Sequence, residues 1–409
     1  VTGCGSQRLG TPEHAPVADI RLSVLDDGLF VRTDAGDVRP LSATFNRFVE
    51  GVARSGQFRR VRYIVPVRPL QTGEVEPAVD PVDQKVLEIV PTTFFAGIAD
   101  YLLRAGYVAA RNWPVIDRAV AESDLVWLRL PASNALLALA AARRHRVPYF
   151  GWVAGSVQQV AAAQQRLPPA AIVARAVGAA YDAVTNLAGR NGPLITLDAE
   201  LFASVVTDTD ITETRAMVQP APNGPARLVW AGRMAGEKGL AELVAAVSLL
   251  LRQGADVALV LIGDGPARPA VQRLLRSVPA DRVEYHGHVG DRLSYMQLLR
   301  SGHIFVHPSR AEGVPKVLVE AMAAGLPIVA TATGGVRDVL GNGERGRLVP
   351  PHDVDAIVAA ARELLDDEWQ RRFLRDRGLE WAGQHTVEAQ ADRLVNWMRD
   401  HFPQLPWPG

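Results

Sequence analysis

Two glutamates eight positions apart, Glu312 and Glu320, carry the most specific chemistry in this chain. Between them lie Gly313, Val314 and Pro315, then an apolar run that opens at Lys316 and Val317. Proline suits the first position of a helix, where its missing N–H costs nothing. The spacing therefore predicts Glu312 on a loop, a helix from Pro315, and Glu320 about a turn and a half inside it. From Pro315 to Glu320 the helix would advance roughly 7.5 Å. The free amides and positive dipole end of that helix lie between the two carboxylates and favour an anion. A carboxylate, an anion cradle and a second carboxylate in line match a ligand with sugar hydroxyls, a diphosphate and ribose hydroxyls. Taken alone, the same spacing also describes a capped amphipathic helix with two solvated glutamates.

The motif does not stand alone. It continues into Ala-Met-Ala-Ala-Gly-Leu-Pro-Ile-Val-Ala and a Thr-Gly-Gly turn ending at Gly335. This reads as a close-packed helix, a glycine stop, a buried strand and a glycine-rich turn. The whole segment resembles the signature of the retaining glycosyltransferases of family 4, which have the GT-B fold. The resemblance implies two Rossmann-like, doubly wound parallel-sheet α/β domains with the donor cleft between them. It implies that Glu312 contacts the transferred sugar, that Glu320 binds the ribose, and that Gly313 to Val317 line the donor.

Three other loops fit that cleft. Gly232, Arg233 and Lys238 follow a strand, and a cation pair at a strand's carboxyl end can grip a diphosphate. The chain has three lysines, Lys85, Lys238 and Lys316, and uses arginine elsewhere. Two of the three thus lie in this loop and in the signature helix, where the longer, forked arginine is not equivalent. The run Arg-x4-Lys also matches the family's diphosphate-binding loop, which assigns Arg233 and Lys238 catalytic roles beside Glu312. Gly263 and Asp264 end a strand; by themselves they are a turn, and the resemblance makes them part of the cleft wall. The resemblance sets the nucleotide base against His288 and Val289. His286 and His288 have no nearby carboxylate or cysteine to complete a metal site, so neither metal nor cofactor is expected.

The first half departs from the family. Where relatives have a Gly-Gly loop after the first strand, this chain has Asp26, Asp27 and Gly28, then a long excursion to Pro40. No histidine follows its later strand; Gly151, Trp152 and Gly155 stand there instead. Asp26, Asp27, Gly28 and Trp152 are candidate acceptor contacts, or equally turn formers and a core aromatic.

The elements that must position these residues follow from the chain's patterning. At 409 residues, two domains are expected. Strands at Ile20–Leu25, Arg60–Val67, Leu125–Leu130 and Tyr149–Val153 alternate with helices, one opened by Ser42 as N-cap. A further strand is read at 195–197. Helices are read over Thr93–Arg104 and Pro114–Ala121. Val1–Ala18 reads as a loose arm and Val218–Pro225 as a linker. The expected units are residues 1–218 on the acceptor side, 226–380 on the donor side, and 381–409 as a helix crossing back to the first. Acidic and basic residues balance at 44 each, which argues against a nucleic-acid partner. The single cysteine, Cys4, excludes an internal disulfide framework and is compatible with a bacterial cytoplasmic protein. Basic runs at Arg59–Arg62 and Arg143–Arg146 read as solvated faces; their alternative is peripheral contact with an anionic membrane. The expected partners are a nucleotide-diphosphate sugar, with UDP favoured over GDP, and a hydroxyl acceptor. Rival readings are a glycoside hydrolase, a non-catalytic nucleotide-sugar-binding protein and a sugar-nucleotide epimerase.

Overall fold

The computed structural model describes residues 19–41, 45–77, 79–153, 168–196, 198–217 and 224–408. The expected arm at 1–18, the Ser42 cap, Gly155, Leu197 and most of the 218–225 linker lie outside them.

The first sheet holds β1 (Arg21–Leu25), β2 (Phe30–Arg32), β3 (Val38–Pro40), β4 (Arg60–Pro69), β5 (Glu88–Thr93), β6 (Leu125–Leu130), β7 (Tyr149–Val153) and β8 (Leu194–Thr196). Its parallel framework runs β5-β4-β1-β6-β7-β8. The second sheet holds β9 (Ala226–Ala231), β10 (Val257–Ile262), β11 (Val283–Tyr285), β12 (Ile304–His307), β13 (Ile328–Thr331) and β14 (Arg347–Val349). All its pairings are parallel, in the order β11-β10-β9-β12-β13-β14. Both orders reverse direction beside their first strand. In such sheets ligands bind outside the carboxyl ends of the strands at that reversal. β10, Val-Ala-Leu-Val-Leu-Ile, is buried throughout, as a strand covered by helices on both faces must be.

Several local expectations needed correction. The excursion from Gly28 to Pro40 is a hairpin: β2 and β3 pair antiparallel, and β2 docks on the far end of β4. β5 escaped sequence reading because Pro91 argues against a strand; it is tolerated because β5 pairs only with β4, at the sheet edge. Thr93 ends β5, and the helices are Ile98–Leu103 and Ala105–Ala121. The second runs through Pro114 rather than starting there. The helices Pro168–Gly189, Asp208–Ala216 and Glu368–Gly383 have no counterpart in the sequence reading.

The terminal helix Val387–His401 buries Val387, Ala391, Leu394, Val395 and Met398 in the core of the first sheet. There Trp397 meets Phe150 at 5.3 Å between ring centroids. The chain also crosses earlier than expected. Ala203 belongs to the first core, but Phe202, Val206 and Ile211 pack into the second. The helix Asp208–Ala216 therefore lies on the donor side of the boundary expected at 218, because its apolar face matches that cluster.

Leu394 is fully buried in the first core although it lies at the end of the sequence. Leu394→Ala is expected to cost about 2–5 kcal/mol of stability. Chemical denaturation checks this, and a loss below about 1 kcal/mol would contradict the docking.

Candidate active site in the interdomain cleft

The loops that leave β9 and β12 meet at the reversal of the second sheet. Arg310 N–H donates to the Glu237 carbonyl at 2.8 Å and ties the two loops together. Here Glu312 is nearly buried, with 11% of its side chain exposed. Its Oε1 accepts three hydrogen bonds: from Lys238 Nζ at 2.6 Å, Ser309 Oγ at 2.6 Å and His307 Nε2 at 2.9 Å. Burial alone would push this carboxyl up. The hydrogen bond and charge of His307, then the charge and hydrogen bond of Lys238, outweigh burial and hold it down at about 2. Glu312 is thus a permanently ionised group in a sheltered place.

Glycines let the surrounding loops press against it. Gly334 has φ +47°, and a Cβ there would stand 1.9 Å from the Glu312 carbonyl oxygen. Gly263 has φ +133°, and a Cβ would stand 1.9 Å from the Gly232 carbonyl oxygen. Any side chain at either position would force the cleft wall apart.

Pro315 caps the signature helix instead of opening it; the helix is Lys316–Ala323. Glu320 lies one turn inside. Arg292 Nη1 donates to its Oε1 at 2.5 Å and the Tyr295 hydroxyl to its Oε2 at 3.0 Å. Arg292 also donates to Asp210 Oδ2 at 2.9 Å, so two carboxylates share one guanidinium. Burial, then the nearby Arg129 charge, depress the Lys316 ammonium to about 8, with Glu320 and Asp26 opposing the shift. A cleft of about 430 Å³ opens over Gly232, Arg233, Gly263, Asp264, His288, Val289 and Glu320, whereas Gly313, Val314, Pro315, Lys316 and Val317, also expected at the donor, and Glu312 and Lys238 are not among its lining residues. Asp264 itself accepts from Gly265 N–H at 2.7 Å and from Arg268 at 3.0 Å. Gly313 accepts from Gly335 N–H at 3.1 Å, and Val314 and Val317 pack against the second core.

Arg233 and Lys238 do not form one grip. Lys238 turns inward to Glu312, whereas Arg233 is 64% exposed and pairs with Glu237 at 3.1 Å. Arg233 and Glu237 meet at the surface within the loop that follows β9.

On the first domain the four acceptor candidates separate. Trp152 is fully buried among Phe45, Phe48 and Trp127, so it is a core aromatic and cannot touch an acceptor. Asp26 is buried and accepts from the Tyr63 hydroxyl at 2.5 Å and from Arg129 at 2.7 Å. Gly28 is needed beside it, since a Cβ would lie 2.8 Å from Asp26 Oδ2. Asp27 differs. One oxygen accepts from Ser133 N–H, and Oδ1 is shielded from solvent with no hydrogen-bond partner. Burial raises its carboxyl to about 6, against the lowering effect of Ser133. Nearby, Ser133 Oγ lies 2.8 Å from the Tyr181 hydroxyl, and the Tyr101 hydroxyl donates to the Ser133 carbonyl at 2.7 Å.

Both basic runs carry carboxylate partners. Arg59 pairs with Asp19, Arg60 with Glu88, Arg62 with Glu122, and His145 with Asp117. Among the described residues no helix is long and apolar enough to cross a membrane.

Sequence reading missed His307, Ser309, Arg292, Tyr295 and Asp210. The first two were within reach: His-Pro-Ser stands immediately before Arg310 at the end of a buried strand. The others join the site only through tertiary packing.

Residues 225–367 match the family described as Glycosyl transferases group 1. The chain is 31% identical over 175 residues to an alpha-D-kanosaminyltransferase from Streptomyces kanamyceticus, covering 42% of this chain and 45% of that protein. That match thus spans less than half of the relative's length. It is 28% identical over 336 residues to a GDP-mannose-dependent alpha-(1-6)-phosphatidylinositol monomannoside mannosyltransferase from Mycobacterium tuberculosis, covering 72% of this chain and 84% of that protein. Anabaena HepE in complex with UDP-glucose has a similar structure, with a TM-score of 0.61 at 16% identity, covering 93% of this chain and 100% of the other. At that identity the likeness shows the shared GT-B fold alone.

The Asp27 environment predicts a pH-dependent stability. A carboxyl raised from 3.8 to about 6 disfavours ionisation in the folded state. Its contribution is fully present below the unfolded value and is lost as pH rises through about 6. Asp27→Asn is therefore expected to stabilise the protein at pH 8 by on the order of 2–3 kcal/mol and to change little at pH 4. Melting temperatures at the two pH values check it; an equal shift at both would contradict the assignment.

Proposed function

We propose that this chain, whose residues 225–367 match the group 1 glycosyltransferases, moves a sugar from a nucleotide-diphosphate sugar to an acceptor hydroxyl with retention of anomeric configuration. The observation that carries this reading is the ionised, sheltered Glu312 on the loop before the signature helix, with Glu320 one turn inside that helix on the wall of the cleft. Both lie at the sheet reversal where α/β proteins bind ligands. Glu312 faces the transferred sugar, whose ring gains positive charge as the bond to phosphate breaks. A fixed carboxylate in a low-dielectric site stabilises that charge at no reorganisation cost. Glu320, oriented by Arg292 and Tyr295, binds the ribose hydroxyls. The helix amides, Lys238 and Arg233 stabilise charge growing on the leaving diphosphate. The acceptor hydroxyl attacks from the face that the diphosphate leaves, and the departing phosphate oxygen takes its proton. No protein base is required, and no metal.

A hydrolase reading needs one carboxyl that carries a proton to the leaving group, with a raised pKa. Glu312 is shifted the opposite way, and both oxygens of Glu320 already accept hydrogen bonds. The pair suits charge stabilisation and hydroxyl binding better than acid catalysis. On the acceptor side, the unpartnered Oδ1 of Asp27 supports a role in holding the incoming hydroxyl. The donor is a UDP-sugar, with a GDP-sugar the alternative. The acceptor class is a cell-envelope glycan, a glycolipid or a secondary metabolite.

Two experiments test this reading. Glu312→Gln is expected to leave the affinity for bare nucleoside diphosphate nearly unchanged while lowering kcat at least a hundredfold, about 3 kcal/mol in the barrier. Lys238→Ala is expected to lower kcat by a similar factor, since it leaves the buried Glu312 charge unmatched. Glu320→Gln is expected mainly to raise donor KM and weaken nucleotide binding, because ribose contacts do not change during transfer. Calorimetry beside steady-state kinetics separates these outcomes, and the opposite split would reverse the donor along the helix. Activity is also expected to survive dialysis against EDTA; loss restored specifically by Mg²⁺ or Mn²⁺ would overturn the metal-free mechanism.

A further inference from the structure

The donor cleft has a wall that none of the signature residues supplies. Its second-domain side is made by the loops after β9, β10 and β11 and by the signature helix, but Arg47 and Val79 of the first domain also line it. Arg47 sits in the first turn of the helix Phe45–Arg54. Val79 sits in the long loop between β4 and β5.

That loop is pinned in place. Arg39 donates to the Val79 carbonyl at 3.0 Å, and Val82 N–H donates to the Val38 carbonyl at 2.8 Å. Both anchors lie on β3, in the hairpin that this chain inserts after β1. Asp80, next to Val79, accepts from Arg47 Nη2 at 2.6 Å. One edge of the guanidinium is therefore held by the loop, which orients its plane, and 23% of the side chain remains exposed. A second observation puts this charge at the cleft. Asp291 caps the helix Arg292–Arg300 beside Val289 and Gly290. Its carboxyl is held below the ordinary range first by hydrogen bonds from Ser294, with the Arg47 charge the smallest of the causes. Arg47 thus acts electrostatically across the domain boundary on the rim where the base is expected.

We propose that Arg47, steered by Asp80 and backed by Val79, forms the first-domain wall of the nucleotide site and packs its guanidinium plane on the nucleobase opposite His288–Val289. This rests on the donor reading above and deepens it. A planar, weakly hydrated cation stacks on an aromatic face and also offsets the charge of a diphosphate. Lysine keeps the charge but has no plane. Because Arg47 and Glu320 lie on different domains, nucleotide binding would bridge the two.

The test is calorimetry of the full chain with UDP and with GDP, comparing wild type, Arg47→Ala, Arg47→Lys and Glu320→Gln. Melting of each ligand-free variant verifies that it folds. Arg47→Ala is expected to weaken the better-bound nucleotide about tenfold, and Arg47→Lys to recover only part of that loss. If Arg47→Ala binds within twofold of wild type while Glu320→Gln is weakened, the nucleotide lies on the second domain alone and the proposal fails. Full recovery in Arg47→Lys would overturn stacking in favour of a point charge. If wild type binds neither nucleotide, the donor reading fails and this proposal with it.

Discussion

One carboxylate oxygen organises the second domain. Glu312 Oε1 collects hydrogen bonds from Lys238 and Ser309, in the loops following β9 and β12, and from His307 at the end of β12. Leaving a buried charge without its partners is strongly destabilising, so none of these donors can be dispensed with cheaply. The neighbouring backbone is built to keep them in register. Ser309 is held through its carbonyl by the hydroxyls of Thr331 and Thr333. Arg310 reaches away to Glu242, which also meets His352. The glycine turn at Gly334 presses on the Glu312 backbone. The same geometry that holds the carboxylate thus fixes the shape of the cleft floor.

A second set of charges joins the halves. The chain crosses between domains near residues 202–206 and again near 386–390, and the two crossings are bonded to each other. Val387 N–H donates to the Val206 carbonyl at 2.6 Å, and Gln390 bridges Phe202 N–H and the Glu200 carbonyl, both at 3.0 Å. The helix just beyond the first crossing carries Asp210, which shares Arg292 with Glu320. The expected ribose ligand is therefore wired to the connection itself. On the opposite face, Lys316 sits close enough to Arg129 and Asp26 to feel both charges. The first and second domains thus meet through charge as well as through the chain crossings.

The sequence made the second domain legible and the first domain much less so. β10, β12 and β13 are short, buried runs rich in apolar residues, and the signature helix adds residue types with chemical meaning. Glu312, Glu320 and the cleft glycines could be found because their spacing is local. Arg292 and Asp210 could not, because they stand 82 positions apart and only packing joins them. In the first domain, Pro91 concealed an edge strand and the β2–β3 hairpin read as loop. Trp152 illustrates a different ambiguity. A tryptophan after glycine at a strand's end is compatible with a ligand platform or a core ring, and only its burial against Phe48 at 5.3 Å decides.

The two cations of the diphosphate loop show why similar residues at similar spacing need not share a task. Lys238 is sheltered and bound to Glu312, so its charge is fixed in position before any ligand arrives. Arg233 is largely exposed and, among the described residues, pairs with Glu237 within one short loop. Surface pairs of that kind contribute about 0–1 kcal/mol, so an arriving dianion can take Arg233 from Glu237 at little cost. Taking Lys238 would strand Glu312 and is costly. On the proposed reading, Arg233 therefore contributes to capture of the diphosphate. Lys238 contributes a standing field that acts on the leaving group as its charge grows. Glu312, the partner of Lys238, acts with the opposite sign on the sugar. Both charges of this contact pair are then fixed in place before the charge separation that transfer requires.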